Sequence, residues 1–270
     1  ARLTGRHPAP CVVRTGSDND RMGGDQVGTD QTRQRATILI YIVTVAINMA
    51  AVAIPLGGLT TGQLSDLFPV PIVPANYVFS IWSVIYTLLI GFIVWQARSG
   101  RADDPVLRRL GYLPALTGVL NALWVVLWQY QVFFATVPVM IALLVTLIVI
   151  WRRIREPQAV PAPRAQGWLV AMPFSVYLGW ITVATIANIT QMTYLALGKP
   201  DTFIVGPEAW GTLILLAGLA IASTVVIRGR DVAYAIVIAW AYAGIAVKQS
   251  AAPASLTVVP AVAVRSEEHT

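Results

Sequence analysis

Three aromatic side chains with helical spacing are the first candidates for ligand binding in this sequence. Phe79, Trp82 and Tyr86 lie at positions i, i+3 and i+7 of an apolar run, so they share one face of a predicted helix. Lipid is as apolar as these rings, so a membrane helix has no hydrophobic reason to collect them on one stripe. The stripe therefore predicts either tight helix packing or the wall of a pocket in which a flat ligand stacks.

Amides and tryptophans inside other apolar runs extend this hypothesis. Asn121 and Asn188 lie in predicted helices, and an amide in hydrocarbon requires a hydrogen-bond partner. Two interpretations stay open: interhelical bonds worth about 1 kcal/mol each, or bonds to the polar edge of a ligand. Trp124 and Trp180 lie within their runs as Trp82 does, and we predict that these three tryptophans face one interior space.

The sequence offers no support for catalytic or metal chemistry. The only cysteine is Cys11, and the two histidines, His7 and His269, lie near the two ends. Without a nucleophile–base pair or a ligand cluster, we predict no catalytic residue, no metal site and no cofactor. Lys248 follows the last apolar run; it lacks the mid-span depth and the buried carboxylate counter-ion of a retinal-binding lysine. We predict that it is an interfacial anchor.

Seven continuous apolar runs define the predicted fold class. Their limits are residues 37–56, 77–97, 111–130, 132–151, 168–190, 209–227 and 232–247, and none contains an Asp, Glu, Lys, Arg or His. Each run is long enough, or nearly so, to cross a hydrocarbon core of ~30 Å. Continuous runs exclude a barrel, in which apolar residues alternate. The sequence therefore predicts an all-α integral membrane protein, and the lack of charge within the runs argues against an ion-coupled transporter.

The basic residues alternate between the loops and predict the topology. The net charge is +6, with four Lys or Arg in residues 98–109, four in residues 152–164 and none in residues 57–76. The positive-inside rule then places the N-terminus in the cytoplasm and residues 57–76 and 191–208 outside. The basic charge follows from this topology, so we expect membrane lipid and no nucleic acid as a partner.

Both ends of the sequence differ in character from the runs. We interpret residues 1–21, which precede the first methionine, as upstream sequence, and residues 1–36 together as a cytoplasmic tail. Residues 254–264 indicate the start of an eighth span cut short, and residues 265–270, RSEEHT, resemble a translated sequencing adapter. A genuine polar tail is the alternative.

Three separated motifs resemble those of one known family. Pro74, Trp82 and Tyr86 lie in the second run, and Leu120, Asn121 and Trp124 lie in the third. The fifth run contributes Tyr177, Trp180, Ala184 and Asn188. In this order, each on its own helix, the motifs resemble those of the TspO/MBR family of tryptophan-rich sensory proteins. The resemblance implies an extended bacterial-type member of this family, located in the cytoplasmic membrane.

The resemblance implies a five-helix bundle over residues 37–190 with a pocket beneath the loop that joins its first two helices. The implied ligands are porphyrins and other flat lipophilic molecules, and a homodimer is compatible with it. The implied ligand-binding residues are Trp82, Tyr86, Asn121, Trp124, Tyr177, Trp180, Ala184 and Asn188, with Pro74 and Phe79 in the entrance loop. Residues 191–208 form an outer loop, and the further transmembrane helices of residues 209–264 lie beyond this five-helix unit.

Two other functions remain open at this point. One is uncoupled export of small lipophilic molecules, and the other is a structural membrane protein without a small-molecule ligand. Oxidative breakdown of a bound porphyrin is a secondary activity that the resemblance implies for some members. Convergence of the pocket residues would favour binding, whereas their exposure to lipid would favour the structural role.

Overall fold

The computed structural model describes residues 16–54, 57–156, 164–198 and 207–251, and in these ranges the chain is helical without strands. The helices are α1 Gly16–Ala53, α2 Thr61–Asp66, α3 Ile81–Gln96, α4 Pro105–Leu110, α5 Leu113–Gln129, α6 Phe133–Arg155, α7 Arg164–Gln166, α8 Met172–Ala196, α9 Pro207–Gly229 and α10 Val232–Ser250. A 3₁₀ turn, Asn76–Ser80, leads into α3, and a π turn, Gly167–Ala171, joins α7 to α8. The predicted eighth span and residues 265–270 lie outside the described residues.

The predicted fold class is confirmed, because the helices coincide with the apolar runs. Five helical segments are long and apolar enough to cross a membrane: Gly28–Ala53, Asn76–Gln96, Phe133–Arg155, Arg164–Ala196 and Val232–Ser250. Two shorter apolar segments accompany them, α5 with 17 residues and the Gly218–Gly229 part of α9. The chain is therefore a multi-pass, all-α membrane protein.

The first helix begins earlier than the sequence predicted. It starts at Gly16, within the predicted tail of residues 1–36. Asp30, which is 4% exposed, accepts hydrogen bonds from Arg33 at 2.6 Å and from Arg108 at 2.7 Å. The predicted boundary at residue 37 follows the last charge before the apolar run, Arg35, whereas the helix itself already includes Asp30, to which Arg108 of α4 binds.

Five helices close into a ring, and two pack outside it. In the ring α1 contacts α5, α5 contacts α6, α6 contacts α8, α8 contacts α3, and α3 returns to α1. Helix α10 packs on the outside of α8, and α9 contacts both α8 and α10. The apolar stretch of α8 is therefore 72% buried, whereas the other four long spans are between 28% and 39% buried.

A very short connection joins α5 to α6, at the single residue that separates the predicted runs 111–130 and 132–151. Gln131 adopts a positive φ of 60°, and its N–H donates to the carbonyl of Trp128 at 3.0 Å. The next N–H, of Val132, donates to the carbonyl of Leu127 at 2.9 Å. These bonds satisfy the last carbonyls of α5 and turn the chain back as an antiparallel hairpin.

Residues 57–75, which we call the roof segment, cover one end of the ring. Thr60 and Gln63 form a capping box that starts α2. The segment is packed rather than free, because Leu64, Phe68 and Val73 are each at most 3% exposed. Burial of these apolar side chains holds a predicted polar loop against the bundle.

Candidate binding site beneath the roof segment

Trp82 is the centre of an aromatic cluster inside the ring. It lies in the first turn of α3, just after the 3₁₀ turn. Its ring centroid is 5.5 Å from that of Tyr86 and 6.5 Å from that of Trp124, both in stacked geometry. Two aromatic rings of α8 contact Trp82 edge-on, Tyr177 with 6.1 Å and Trp180 with 6.0 Å between ring centroids. The predicted tryptophans of α3, α5 and α8 thus meet in one place.

The cluster continues from α5 to the roof segment. Trp124 stacks on Trp128 with 5.4 Å between centroids. Trp128 in turn contacts Phe68 of the roof segment at 6.1 Å and Phe133 of α6 at 5.2 Å. Its indole N–H donates to the carbonyl of Thr61 at 3.3 Å. Trp128, which the sequence analysis did not select, therefore connects the aromatic cluster to its cover.

A small cavity lies between the cluster and the roof segment. Its volume is about 30 Å³, which is room for roughly one water molecule. The indole Nε1 atoms of Trp124 and Trp180 are buried and have no hydrogen-bond partner among the described residues. The cavity is lined by Thr61, Ser65, Pro74, Phe79, Trp82, Trp124, Trp128, Trp180, Val183, Ala184, Ala187, Asn188 and Gln191.

A much larger groove lies on the other side of Trp82, between α1 and α3 beneath α2. Its volume is about 590 Å³. Met49 and Val52 of α1 form one wall, and Ser83 and Tyr86 of α3 form the other. Phe79, Trp82 and Thr61 line both spaces. The rings of Phe79 and Trp82 are therefore part of the partition between the small cavity and the groove.

A hydrogen-bond network lies next to the cluster, with Asn121 as its hub. The amide Nδ2 of Asn121 donates to the hydroxyl of Tyr177 at 2.8 Å. Its Oδ1 accepts from Nδ2 of Asn48 at 2.8 Å and from the hydroxyl of Tyr86 at 3.3 Å. The network joins α5 to α1, α3 and α8. Asn121 therefore has the partners that an amide in an apolar interior requires, and interhelical bonding accounts for it.

The structure separates the predicted site residues into three groups. Those that line the small cavity are Pro74, Phe79, Trp82, Trp124, Trp180, Ala184 and Asn188. Tyr86 lines the groove. Asn121 and Tyr177 line neither space and are bonded to each other. Asn188 has a double role, since it also exchanges hydrogen bonds with Thr136 of α6 at 2.9 and 3.1 Å.

Two further residues at the site, Asn48 and Gln191, were not among those predicted from the sequence. Asn48 is an amide in the first apolar run, so the criterion that selected Asn121 and Asn188 also applied to it. Gln191 lies just beyond the predicted limit of the fifth run, and its Nε2 donates to the hydroxyl of Ser65 at 2.8 Å. This bond fastens α8 to the roof segment, and no local pattern in the sequence indicates it.

Comparison with known proteins identifies one family. A family model described as TSPO-like protein matches residues 34–265. The matched range includes α9 and α10, which the sequence analysis placed beyond the five-helix unit of the family it resembled. No curated protein and no solved structure matches the chain.

Proposed function

Because the chain belongs to the TSPO-like family, as its motifs predicted, we propose that it is a membrane-embedded binding and sensory protein for flat lipophilic ligands. A porphyrin or another tetrapyrrole is the ligand that we propose. The observation that carries the proposal is the convergence of Trp82, Trp124 and Trp180 from three helices on one covered cavity.

The chemistry of the cavity suits a flat ring with a polar acceptor. Stacking against aromatic faces contributes about 0.5–1.5 kcal/mol per pair beyond the burial of apolar area. The unpartnered indole N–H groups of Trp124 and Trp180 are donors, so an acceptor atom on the ligand would satisfy them. Ala184 lines the cavity one turn after Trp180, where its small side chain leaves room.

The two volumes indicate how such a ligand is accommodated. A cavity of about 30 Å³ is too small for a macrocycle, whereas the neighbouring groove of about 590 Å³ lies within the ~300–1,000 Å³ of ligand pockets. Because Phe79 and Trp82 are part of the partition between them, rotation of these two rings would join the spaces. In this proposal the ligand enters from the lipid side, between α1 and α3.

Titration of the purified protein with protoporphyrin IX, followed by quenching of tryptophan fluorescence, tests the proposal. We expect micromolar affinity for the wild type and loss of binding in Ala184→Phe, because the larger ring fills the space beside Trp180. Ile189→Phe is the matched control on the same helix, since Ile189 is 42% exposed and faces away from the cavity. Equal affinity in all three proteins would contradict this site.

Export of a lipophilic molecule is the second candidate function. The groove between α1 and α3 favours it, because an opening on the lipid side also serves a ligand that passes through the protein. The exporter would be supported if the protein binds porphyrin tightly and deletion of its gene slows the efflux of porphyrin from cells without changing their response to porphyrin. Breakdown of a bound porphyrin would be a secondary activity, seen as loss of its absorbance under light.

We further propose that the end opposite the roof segment faces the cytoplasm of a bacterial cell, because residues 98–109 and 152–164 carry the basic residues. Single cysteines test this orientation in a Cys11→Ser background. An impermeant maleimide added to intact spheroplasts should label Leu67→Cys, in the roof segment, and should leave Arg98→Cys unlabelled. Lysed cells provide the control, in which both variants react. The reverse pattern would mean the opposite orientation.

A further inference from the structure

The C-terminal end of α10 is fastened to the roof segment. The ammonium of Lys248, which we predicted to be an interfacial anchor, lies 2.5 Å from a carboxylate oxygen of Asp66. Beside it, Nε2 of Gln249 donates to the carbonyl of Pro71 at 2.5 Å. One turn earlier, the carbonyl of Gly244 accepts from the N–H of Ala75 at 3.2 Å. Helix α10 lies outside the ring, yet it holds the cover of the aromatic cavity at three points.

The same helix packs on the 3₁₀ turn that leads into α3. Gly244 lies so close to Val78 that a Cβ at this position would overlap the valine side chain. The indole N–H of Trp240 donates to the carbonyl of Val78 at 3.4 Å, and its ring contacts Tyr77 edge-on at 5.5 Å. Phe79 and Trp82 follow directly in the chain, so α10 supports the turn from which the partition residues project.

Helix α10 is itself held at its other end and along its length. Asp231 begins the helix and lies 2.6 Å from the guanidinium of Arg155 at the end of α6. In the middle, the hydroxyl of Tyr234 donates to Thr182 of α8 at 3.3 Å, and Gly179 of α8 approaches the carbonyl of Tyr234. The helix is therefore anchored to α6 and α8 independently of the roof segment.

Entry of a ligand requires that some of these contacts open. The cavity of about 30 Å³ admits a macrocycle only if Phe79 and Trp82 rotate, and a shift of the turn that carries Phe79, or of the roof segment above it, would give these rings room. In the ion pair of Lys248 and Asp66, each side chain is about one-third exposed. Alone, this pair therefore changes the rate of ligand exchange by a factor of up to about five. Together with two hydrogen bonds and the packing of Gly244, it contributes to the barrier of a lid movement.

We propose that α10 is a brace that slows ligand exchange by holding the roof segment and the 3₁₀ turn closed over the aromatic cavity. The ligand concerned is the flat lipophilic molecule of the proposed function, on which this inference rests. The brace predicts that loosening α10 raises the association and dissociation rates together, whereas affinity changes less, because the walls of the cavity remain.

Stopped-flow fluorescence with protoporphyrin IX on the full-length protein measures the exchange rates. Gly244→Leu should force α10 away from Val78, and both rates should rise about tenfold. Ala246→Leu is the matched control, because Ala246 is exposed on the same helix, and its rates should equal those of the wild type. Lys248→Asp should speed ligand exchange several-fold. The double variant Lys248→Asp with Asp66→Lys, which re-forms the ion pair with its charges exchanged, should bring the rates most of the way back to those of the wild type.

Amide hydrogen exchange of the roof segment tests the brace without any ligand. Residues 57–80 should exchange at least several-fold faster in Gly244→Leu than in Ala246→Leu, while the amides of α5 stay unchanged as a control for global unfolding. Unaltered exchange in residues 57–80 would overturn the brace, whether or not porphyrin binds. Faster amide exchange in a protein that binds no porphyrin would instead support the brace and refute the proposed function.

Discussion

Replacing Trp180 with alanine is expected to weaken the binding of protoporphyrin IX by at least tenfold. Trp180 lines the cavity, its ring contacts Trp82 at 6.0 Å and Phe79 at 5.7 Å, and its buried Nε1 has no partner among the described residues. The variant would lose one stacking wall, worth about 0.5–1.5 kcal/mol per pair, and one donor for the ligand. Since a factor of ten corresponds to about 1.4 kcal/mol, the loss of the wall together with buried area accounts for the expected effect.

Trp168→Ala is the matched control for this experiment. Trp168 is 68% exposed, at the start of the π turn, so its loss removes an indole without changing the cavity. Fluorescence quenching should give wild-type affinity for this variant, after correction for the missing tryptophan. The assignment of the cavity would be wrong if both variants bound porphyrin equally well while both stayed folded.

The largest loss of stability is expected from Asp231→Ala, at the end of α10 away from the roof segment. Asp231 is 4% exposed. Its Oδ2 accepts from Arg155 at 2.6 Å and from the indole of Trp151 at 2.8 Å, and its Oδ1 accepts from the N–H of Tyr234 at 3.1 Å. The variant removes an N-cap, worth about 1 kcal/mol, and leaves the Arg155 guanidinium without its carboxylate.

Removal of one partner from a fully buried ion pair costs about 3–5 kcal/mol. The side chain of Arg155 is 28% exposed, which lowers this cost, so we expect a total loss of about 3 kcal/mol. Thermal unfolding in detergent measures it as a fall in Tm. Glu156→Ala is the control, because Glu156 is 58% exposed and 3.9 Å from Arg109; its Tm should barely move. A Tm for Asp231→Ala equal to that of the control would refute the structural role of this pair.

Features that depend on local spacing were predictable from the sequence. The apolar runs without charge indicated the membrane helices, and the limits of the runs 111–130 and 132–151 leave only Gln131 to connect α5 to α6. Spacing of three and four residues placed Phe79, Trp82 and Tyr86 on one face, and the structure places them in one cluster. Composition and periodicity are properties of neighbouring residues, and in a membrane they decide helix formation almost alone.

Features that depend on distant residues were not predictable in the same way. The interhelical bond between Asn48 and Asn121 joins residues 73 positions apart, so the local sequence left the role of Asn121 open and did not indicate Asn48 as its partner. Trp128 was not predicted to contact the roof segment, because nothing near it in the chain indicates which loop covers it. The charged part of α1 before the predicted span was not anticipated for a similar reason, since Asp30 pairs at 2.5 Å with Arg108 of α4, which is distant in the chain.

An all-α membrane protein of the TSPO-like family, and the aromatic side chains available for a ligand, could be read from the amino-acid sequence alone. These conclusions rest on hydropathy, helical period and motif, which need no knowledge of neighbours in space. The packing of α10 on α8, and its contacts with the roof segment through Lys248 and Gln249, became visible only in the folded protein. The fold also places Phe79 and Trp82 between a small cavity and a much larger groove. The physical reason is that lipid is as apolar as a helix surface, so helices choose their neighbours by close packing and a few buried polar bonds between residues far apart in the chain.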